Sequence, residues 1–275
     1  MQEAAFRASH LAARYELWET PSEALAARMA ALRSPDILGA NVTIPHKTSV
    51  LPLLDAATPA YLYFTQAVNT ITLEPTPHSI RLIGHNTDVP ALQRVLREED
   101  AWSAGKRLTV LGAGGAARAA VAVALLEGAD PWIVARRPRA GRDLLADFAP
   151  HWPHPPGGPT VVDDWNEHVV DIANTNALLE VLAGTSVLIQ ATPVGTRSGA
   201  ASPLPPGLLK QLPSSAFVFD MVYNPPVPPL IEAALALGLR ASGGLRMLLY
   251  QGAAAFTLWT GLPAPLDQMR AALWQ

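Results

Sequence analysis

A short glycine-rich turn between an apolar strand and an apolar helix is the feature that most constrains the fold of this chain. Residues 108–111 predict a strand, and the spacing Gly112-x-Gly114-x-x-Ala117 follows it directly and opens a predicted helix over residues 116–126. Glycines at this spacing allow a tight turn and a close approach of backbone to a pyrophosphate, whose charge the helix N-terminus favours. A purely structural turn is the alternative. The strand before the turn and the strand–helix alternation after it favour a dinucleotide-binding loop formed by Gly112, Ala113, Gly114, Gly115 and Ala116.

The pattern of apolar runs divides the chain into two parts. After residue 107, predicted strands at 108–111, 131–135, 186–190 and 216–220 alternate with helical segments, which indicates a parallel sheet. Before it, the sequence predicts helices over 2–17 and 22–33, strands over 37–44, 67–73 and 80–84, and helices beginning at Pro45 and near residue 90. Helices are also predicted over 231–238 and 245–259, and residues 151–159 read as a loop. We therefore expect an α/β fold with a substrate domain over 1–102, to which 244–275 return, and a dinucleotide-binding domain over 103–243.

The strand after the glycine turn carries the residues expected to select the cofactor. It runs into Arg136-Arg137-Pro138-Arg139 with no acidic residue at its end. Folds that prefer NAD place an acid there for the ribose 2′-hydroxyl, whereas arginine suits the 2′-phosphate of NADP. An ordinary basic loop is the alternative, and we predict NADP(H) over NAD(H).

Lys47 is one of three lysines among 20 Lys+Arg residues, and it lies in a chain that otherwise uses arginine. Arginine stays protonated at all working pH values, whereas a lysine can exchange a proton with a substrate. A solvated lysine at a helix start is the alternative. Together with Asp88 and the dinucleotide loop, Lys47 predicts a pyridine-nucleotide oxidoreductase.

Composition excludes several other classes of protein. The formal net charge of -3 gives no reason to expect nucleic acid or a membrane surface as a partner. The absence of cysteine rules out disulfides and thiolate chemistry and fits a reducing cytoplasm. No run approaches the ~20 apolar residues that cross a bilayer, and the first residues lack the features of a secretory signal. We predict no metal site.

Several motifs, in one order along the chain, carry a family resemblance. They are Asn41-Val42-Thr43-Ile44-Pro45-His46-Lys47, Ala67-Val68-Asn69-Thr70, Asn86-Thr87-Asp88, Gly112-Ala113-Gly114-Gly115-Ala116, Ala191-Thr192-Pro193-Val194-Gly195, Asp220-Met221-Val222-Tyr223-Asn224-Pro225 and Met247-Leu248-x-x-Gln251-Gly252. With these motifs the chain resembles the shikimate dehydrogenase family over nearly its whole length.

The resemblance implies NADP-dependent, reversible reduction of 3-dehydroshikimate to shikimate in a cleft between a discontinuous substrate domain and a Rossmann-type NADP domain. It makes Lys47 the acid/base residue and Asp88 its hydrogen-bonded partner, which also holds substrate hydroxyls. Further substrate contacts implied by the resemblance are Thr43, Asn69, Tyr223 and Gln251. It assigns Arg136, Arg137 and Arg139 to the 2′-phosphate, and it places Thr192, Met221, Gly244 and Met247 near the cofactor. Met247 lies on an apolar helix face, where a methionine is more often a core residue than a cofactor contact.

The chain departs from the family pattern at its start. The family begins with a strand and a Ser-x-Ser-Pro turn that clamps the substrate carboxylate, and Met1-Gln2-Glu3-Ala4-Ala5-Phe6 matches the residues that follow this turn. We therefore expect Met1 to be an internal methionine of a longer natural chain. If Met1 is the real start, we expect the chain to bind NADP but to turn over shikimate poorly or not at all. Smaller departures are Gln190 and Arg246, which stand where asparagine and a small residue are usual.

Two other functions stay open from the sequence. One is a quinate/shikimate dehydrogenase of broader specificity or NAD use, and the other is a non-catalytic NADP-binding relative, if Met1 is the true start. The three arginines at positions 136, 137 and 139 argue against NAD. The presence of Lys47 and Asp88 argues against a non-catalytic relative. Either a monomer or a homodimer fits the sequence.

Overall fold

The computed structural model of the chain describes residues 1–58, 65–101, 105–149, 165–196 and 201–274. It is an α/β structure with a parallel sheet, as the sequence predicts. The chain divides into two compact units, Met1–Ala91 with Met247–Gln275, and Leu92–Arg246. The predicted loop over 151–159 lies outside the described residues, as do residues 102–104 of the expected first domain boundary.

The first unit is built on a small mixed sheet. Its strands are β1 (Gly39–Asn41), β2 (Ala56–Ala57), β3 (Thr70–Pro75) and β4 (Ile80–His85), in the order β1-β3-β4-β2. β3 is antiparallel to both β1 and β4, whereas β2 runs parallel to β4. Its described helices include α1 (Gln2–Ala8) and α2 (Leu25–Ala31), and the chain leaves this unit within α3 (Asp88–Glu98). One core cluster consists of Leu25, Met29, Leu32, Val50, Val68, Ile71 and Leu82.

The second unit is a six-stranded, fully parallel sheet with helices between its strands. The strands are β5 (Arg107–Leu111), β6 (Asp130–Ala135), β7 (Val169–Asp171), β8 (Thr185–Gln190), β9 (Phe217–Asp220) and β10 (Arg240–Gly243). The helices are α4 (Gly115–Leu126), α5 (Pro138–Phe148), α6 (Thr175–Ala183), α7 (Pro206–Leu209) and α8 (Pro229–Ala236). The chain returns to the first unit within α9 (Leu245–Thr260), which is followed by α10 (Leu266–Ala271).

The strand order of the second unit is that of a doubly wound dinucleotide-binding fold. The order is β10-β9-β8-β5-β6-β7, so the chain winds outward from β5 in one direction and then outward from β8 in the other. In such sheets a crevice forms beyond the carboxyl ends of the two central strands, where the winding direction switches. This switch point lies between β5 and β8, and the glycine turn at Gly112 follows the first of them.

Burial explains why these segments form strands and helices. β5 and β8 are buried over most of their length, as expected for strands covered on both faces. α4 buries eight of its 12 residues, and nearly all of these are alanine and valine, so the helix packs closely on the sheet. On the other face Leu188 and Val218 form one cluster with residues of α6 and α8, among them Leu178 and Leu230.

Two of the predicted helices are wrong. The helix expected over residues 2–17 ends at Ala8, because His10 adopts a positive φ of 56° that breaks the helical path. The helix expected from Pro45 does not form, and residues 44–50 run through successive turns before a short 3-10 segment, Leu51–Leu53. The carbonyl of Lys47 accepts a hydrogen bond from the N–H of Val68 at 2.7 Å. In a helix it would instead accept from the N–H four residues later. Lys47 therefore lies in a turn.

Within the described ranges, none of the helices combines the length and the apolar character that a membrane span requires.

Candidate active site and nucleotide loop

Three segments of the first unit meet at one end of its sheet. Asn41 of β1 lies opposite Thr70 of β3, and Thr70 lies opposite His85 of β4. Because these strands are antiparallel, the residues after β1, before β3 and after β4 lie side by side. This register brings Lys47 and Asp88 together although 41 positions separate them.

Lys47 and Asp88 form a short, mostly buried ion pair. The Lys47 ammonium donates to Asp88 Oδ2 at 2.6 Å, and the side chains are 15% and 8% exposed. The backbone of Lys47 is anchored through its carbonyl to Val68, and Asp88 is the first residue of α3. An ammonium has three donors and a carboxylate has two acceptor oxygens. Among the described residues only Asp88 accepts from Lys47, so two donors and Asp88 Oδ1 stay available to a ligand.

Asn69 is the centre of a polar network beside this pair. It is 2% exposed, and its Oδ1 accepts the backbone N–H of Thr87 at 2.7 Å. Its Nδ2 donates to Thr87 Oγ1 at 2.9 Å and to Gln251 Oε1 at 3.4 Å. Gln251 lies on α9, half-buried, and its own Nε2 donates to the carbonyl of Leu248 at 3.2 Å. These hydrogen bonds join Gln251 of α9 to the end of the sheet in the first unit.

Asn86 holds the start of α3, and through it the position of Asp88. Its Oδ1 accepts the N–H groups of Asp88 at 3.0 Å and Val89 at 3.2 Å, and its Nδ2 donates to the carbonyl of Ala67 at 2.8 Å. An asparagine oxygen that accepts the first free amides of a helix is a capping interaction. Asn86 therefore fixes both the helix start and the carboxylate that this helix presents.

His85, the last residue of β4, sits between two threonine hydroxyls. Its Nε2 lies 2.7 Å from Thr72 Oγ1 and its Nδ1 lies 3.2 Å from Thr58 Oγ1. Burial lowers the pKa of the His85 imidazole below its usual 6.5, because the charged form loses hydration there. The neutral ring is thus the form that this position favours.

Two of the predicted substrate residues, Thr43 and Tyr223, make none of the hydrogen bonds just described for the network. Thr43 is exposed in the turn after β1, and its carbonyl accepts the N–H of His46 at 2.9 Å. Tyr223 belongs to the second unit, where its side chain is 47% exposed in the loop after β9.

In the second unit, Gly112 and Gly114 of the glycine turn have different physical requirements. Gly112 has a φ of +112°, and a Cβ there would lie 2.9 Å from Thr192 Cγ2. Gly114 is extended, with φ -98° and ψ -171°, and a Cβ there would meet no atom within 4 Å. The fold therefore requires glycine at 112 but not at 114. Open space in front of Gly114, at the N-cap of the 12-residue helix α4, suits the close approach of a phosphate to backbone N–H groups.

The arginine cluster follows β6, the strand beside the glycine turn. The N–H of Gly112 donates to the carbonyl of Val134 at 2.9 Å, which ties the turn to the end of β6. Arg136 and Arg137 are exposed, and within the described part of the chain neither has an ion-pair partner. The Arg139 side chain is 90% exposed, and its Nε lies 4.0 Å from Asp143 Oδ2, which is a long distance for an ion pair. These guanidinium groups are thus available to an anion.

The other predicted cofactor residues divide between the units. Thr192 and Met221 follow β8 and β9 at the carboxyl edge of the parallel sheet. Gly244 packs on the second of these loops, since a Cβ there would lie 2.4 Å from the Met221 carbonyl oxygen. Met247 is 7% exposed on α9 in the first unit.

Asp220 is a fully buried acid at the end of β9. Its Oδ1 accepts the N–H of Val222 at 2.9 Å, whereas its Oδ2 has no hydrogen-bond partner among the described residues. Burial raises the pKa of Asp220 to about 7, and the Val222 N–H only partly offsets this. The carboxyl shapes the loop that carries Met221 and Tyr223.

Sequence reasoning assigned no role to three polar residues that hold these sites together. Thr87 links Asn69 to the start of α3, Gln190 binds the loop after β8, and Asp220 binds the loop after β9. The available signal was a polar residue at the end of an apolar strand, as in Val187–Gln190 and Phe217–Asp220. Such residues are common at loop starts, so the pattern alone does not separate them from ordinary turns.

Models of known families match both ends of the chain. The model described as the shikimate dehydrogenase substrate binding domain matches residues 1–71, and that described as the shikimate 5'-dehydrogenase C-terminal domain matches residues 244–273. A curated relative, the shikimate dehydrogenase (NADP(+)) of Citrifermentans bemidjiense, is 38% identical over 99% of this chain and 88% of its own length.

Solved structures with the same architecture cover the chain almost completely. The shikimate 5-dehydrogenase of Thermus thermophilus, in complex with NADP(H) and shikimate, is 32% identical and covers 99% of this chain and 92% of its own, with a TM-score of 0.79. A quinate dehydrogenase of Corynebacterium glutamicum, in complex with NAD, is 27% identical with the same coverage and a TM-score of 0.80.

Proposed function

The chain belongs to the shikimate dehydrogenase family, and on that premise we propose that it catalyses the NADP-dependent, reversible reduction of 3-dehydroshikimate to shikimate. The observation that carries this proposal is the Lys47–Asp88 pair, 2.6 Å apart and mostly buried, with donors and an acceptor left over. A hydroxylated cyclic substrate offers hydrogen-bond partners for the remaining Lys47 donors and for Asp88 Oδ1. An enzyme of this kind works in the cytoplasm, which the absence of cysteine fits.

Lys47 is the proton donor and acceptor of the proposed reaction. When bound, the reduced nicotinamide supplies the hydride that adds to the 3-keto carbon. The carbonyl oxygen gains negative charge as this happens, and the Lys47 ammonium donates a proton to it. In the reverse direction a neutral Lys47 accepts the proton of the 3-hydroxyl. General acid–base catalysis of this kind contributes a factor of about 100 to 10,000 to the rate.

Asp88 orients Lys47 and binds a substrate hydroxyl through its second oxygen. Its position depends on Asn86, which caps α3, so the carboxylate is held before the substrate binds. Asn69 and Gln251 add polar groups beside the Lys47–Asp88 pair, and the hydrogen bond between their amides fixes the positions of both side chains. Thr43 and Tyr223, both exposed, are proposed as further substrate contacts on the strength of their motifs.

The second unit is proposed to hold NADP(H). The N–H groups at the start of α4 and the open space at Gly114 would receive the pyrophosphate, and Arg136, Arg137 and Arg139 would bind the 2′-phosphate. These exposed arginines favour NADP over NAD, because a guanidinium binds a phosphate bidentately. Further cofactor contacts are proposed for Ala113, Gly115, Ala116, Thr192, Met221, Gly244 and Met247.

The test follows the absorbance of the reduced nicotinamide when the purified chain is mixed with shikimate and NADP+. We expect turnover that falls at least about 100-fold in Lys47→Ala. Lys106→Ala, which removes an exposed lysine next to β5, is the matched control and should keep the wild-type rate. Parallel assays with quinate and with NAD+ distinguish the broader quinate/shikimate activity. A Lys47→Ala variant as active as the wild type would overturn the assigned chemistry.

A further inference from the structure

Gln190 is a fully buried amide at the switch point of the parallel sheet. It is the last residue of β8, it is 0% exposed, and it follows the apolar residues Val187, Leu188 and Ile189. β8 lies beside β5, whose carboxyl end leads into the glycine turn. Burying a primary amide is unfavourable unless its donors and acceptor find partners. The partners that it finds show what this residue does.

The Gln190 side chain makes three hydrogen bonds to the loop that follows it. Its Oε1 accepts the N–H of Thr192 at 2.8 Å, and its Nε2 donates to the carbonyls of Thr192 at 3.1 Å and Val194 at 2.9 Å. One amide thus satisfies three backbone groups within three residues. These bonds fold residues 192–194 back over the end of β8.

The main chain at Gln190 connects this loop to its two neighbours. The N–H of Ala191 donates to the carbonyl of Leu111, the residue before the glycine turn, at 2.9 Å. The carbonyl of Gln190 accepts the N–H of Met221, in the loop after β9, at 3.0 Å. Thr192 packs against the glycine turn closely enough that its methyl group would lie 2.9 Å from a Cβ at position 112. The loops after β5, β8 and β9 therefore meet at this residue.

We propose that Gln190 is a positioning residue for the dinucleotide, because its amide fixes the loop after β8 against the glycine turn and keeps both ready to receive the cofactor. The inference rests on the proposed NADP-dependent function and adds to it a residue that does not touch the cofactor itself. Rigid loops need no ordering when the ligand binds, so loosening them weakens binding.

A purely structural role for Gln190 makes a different prediction, and the chain offers a matched control for it. Thr185 is the first residue of the same strand, so it lies at the amino end of β8, opposite to Gln190, and it is also 0% exposed. Its hydroxyl lies 2.7 Å from Thr109 Oγ1 and 2.8 Å from the carbonyl of Val181. Thr185→Val removes buried hydrogen bonds from β8 without touching the carboxyl-edge loops.

The experiment compares Gln190→Met, which keeps the length of the side chain, with Thr185→Val. Calorimetry measures the dissociation constant for NADP+, thermal unfolding without ligand measures stability, and steady-state kinetics measure KM for each substrate. We expect both variants to unfold at lower temperature, but only Gln190→Met to bind NADP+ about tenfold or more weakly, because only that variant frees the loop. Its KM for shikimate should stay near the wild-type value.

Equal NADP+ affinity in Gln190→Met and the wild type would overturn the inference, as would an equal loss of affinity in Thr185→Val. If Gln190→Met does not fold, Gln190→Leu replaces it, since leucine also makes none of the three hydrogen bonds to residues 192 and 194 and should weaken binding in the same direction. A wild-type chain that binds NADP+ without oxidising shikimate refutes the proposed function alone. A wild-type chain that does not bind NADP+ refutes both.

Discussion

Gly112 and Gly114 of the glycine turn should respond in different ways to the addition of a single methyl group. At Gly112 an alanine would have to adopt a φ of +112°, and its Cβ would lie 2.9 Å from Thr192 Cγ2. A non-glycine residue in such a conformation costs about 1–3 kcal/mol, and the contact adds to this. We expect Gly112→Ala to lose about 3 kcal/mol of unfolding free energy and roughly 6–12 °C of melting temperature.

At Gly114 the same methyl group should leave the free protein almost unchanged. The backbone there is extended, which alanine adopts freely, and no atom lies within 4 Å of the added Cβ. Replacing glycine by alanine at an N-cap costs about 0.5–1 kcal/mol, and the stiffer unfolded chain offsets a similar amount. The methyl group would instead fill the space proposed for the pyrophosphate. We expect Gly114→Ala to bind NADP+ at least about tenfold more weakly, equivalent to about 1.4 kcal/mol.

The assay measures thermal unfolding of each variant without ligand and calorimetric titration with NADP+. Gly207→Ala is the control, since it lies in α7 of the same unit and a Cβ there also meets no atom within 4 Å. That variant should match the wild type in NADP+ affinity. Wild-type affinity in Gly114→Ala would refute the reasoning about the phosphate site, and wild-type stability in Gly112→Ala would refute the reasoning about the turn.

Three further predictions concern buried ionisable groups. Asp88→Asn leaves the Lys47 ammonium without a counter-charge, so we expect kcat/KM to fall about 100-fold and unfolding free energy by about 3 kcal/mol, measured by kinetics and urea titration; near-wild-type values for both would contradict this. For Asp220, the folded-state pKa is raised from 3.8 to about 7, so the unfolded chain releases its proton first and stability falls as pH rises through that window. The Asp220→Asn variant has no such proton to release. Its unfolding free energy should therefore rise relative to that of the wild type by on the order of a few kcal/mol between pH 4 and 7, as measured by urea denaturation at each pH. A difference in unfolding free energy that does not change with pH would argue against this assignment. For His85, the folded-state pKa is lowered, so its contribution to stability is complete above the unfolded value of 6.5 and is lost as pH falls below it. His85→Asn should therefore flatten the decline in urea midpoint just below pH 6.5, and an unchanged slope would count against the burial of the neutral ring.

Much of the second unit could be predicted from local patterns. Apolar runs of four to six residues, separated by helical segments, predicted four of its strands and the helix after the glycine turn, because burial on both faces of a parallel sheet leaves that signature in the sequence. The short edge strands β7 and β10 were not predicted. β7 contains only three residues, and β10, with the sequence Arg-Ala-Ser-Gly, has no apolar run, so neither strand carries the signal that revealed the others.

The first unit shows where local patterns mislead. A proline directly after a predicted strand suggested a helix start at Pro45, where the missing N–H costs nothing, but the backbone of Lys47 is bonded to Val68 instead. A sequence window contains residues close along the chain, and this bond joins residues 47 and 68. Tertiary pairing overrode a helix-start signal that is weak by itself.

The sequence by itself determined the α/β class, the glycine turn and the family, because these depend on hydrophobic periodicity and on motifs of consecutive residues. The tertiary structure decided which polar groups meet, and of these contacts the family resemblance had implied only the hydrogen bond between Lys47 and Asp88. Lys47 finds Asp88 across 41 positions, and Asn69 finds Gln251 across 182. Such contacts follow from the register of antiparallel strands and from where α9 returns to the first unit, and neither is encoded in any local stretch of residues. The same holds for Gln190, whose position at the carboxyl edge has meaning only once β5 and β8 lie side by side.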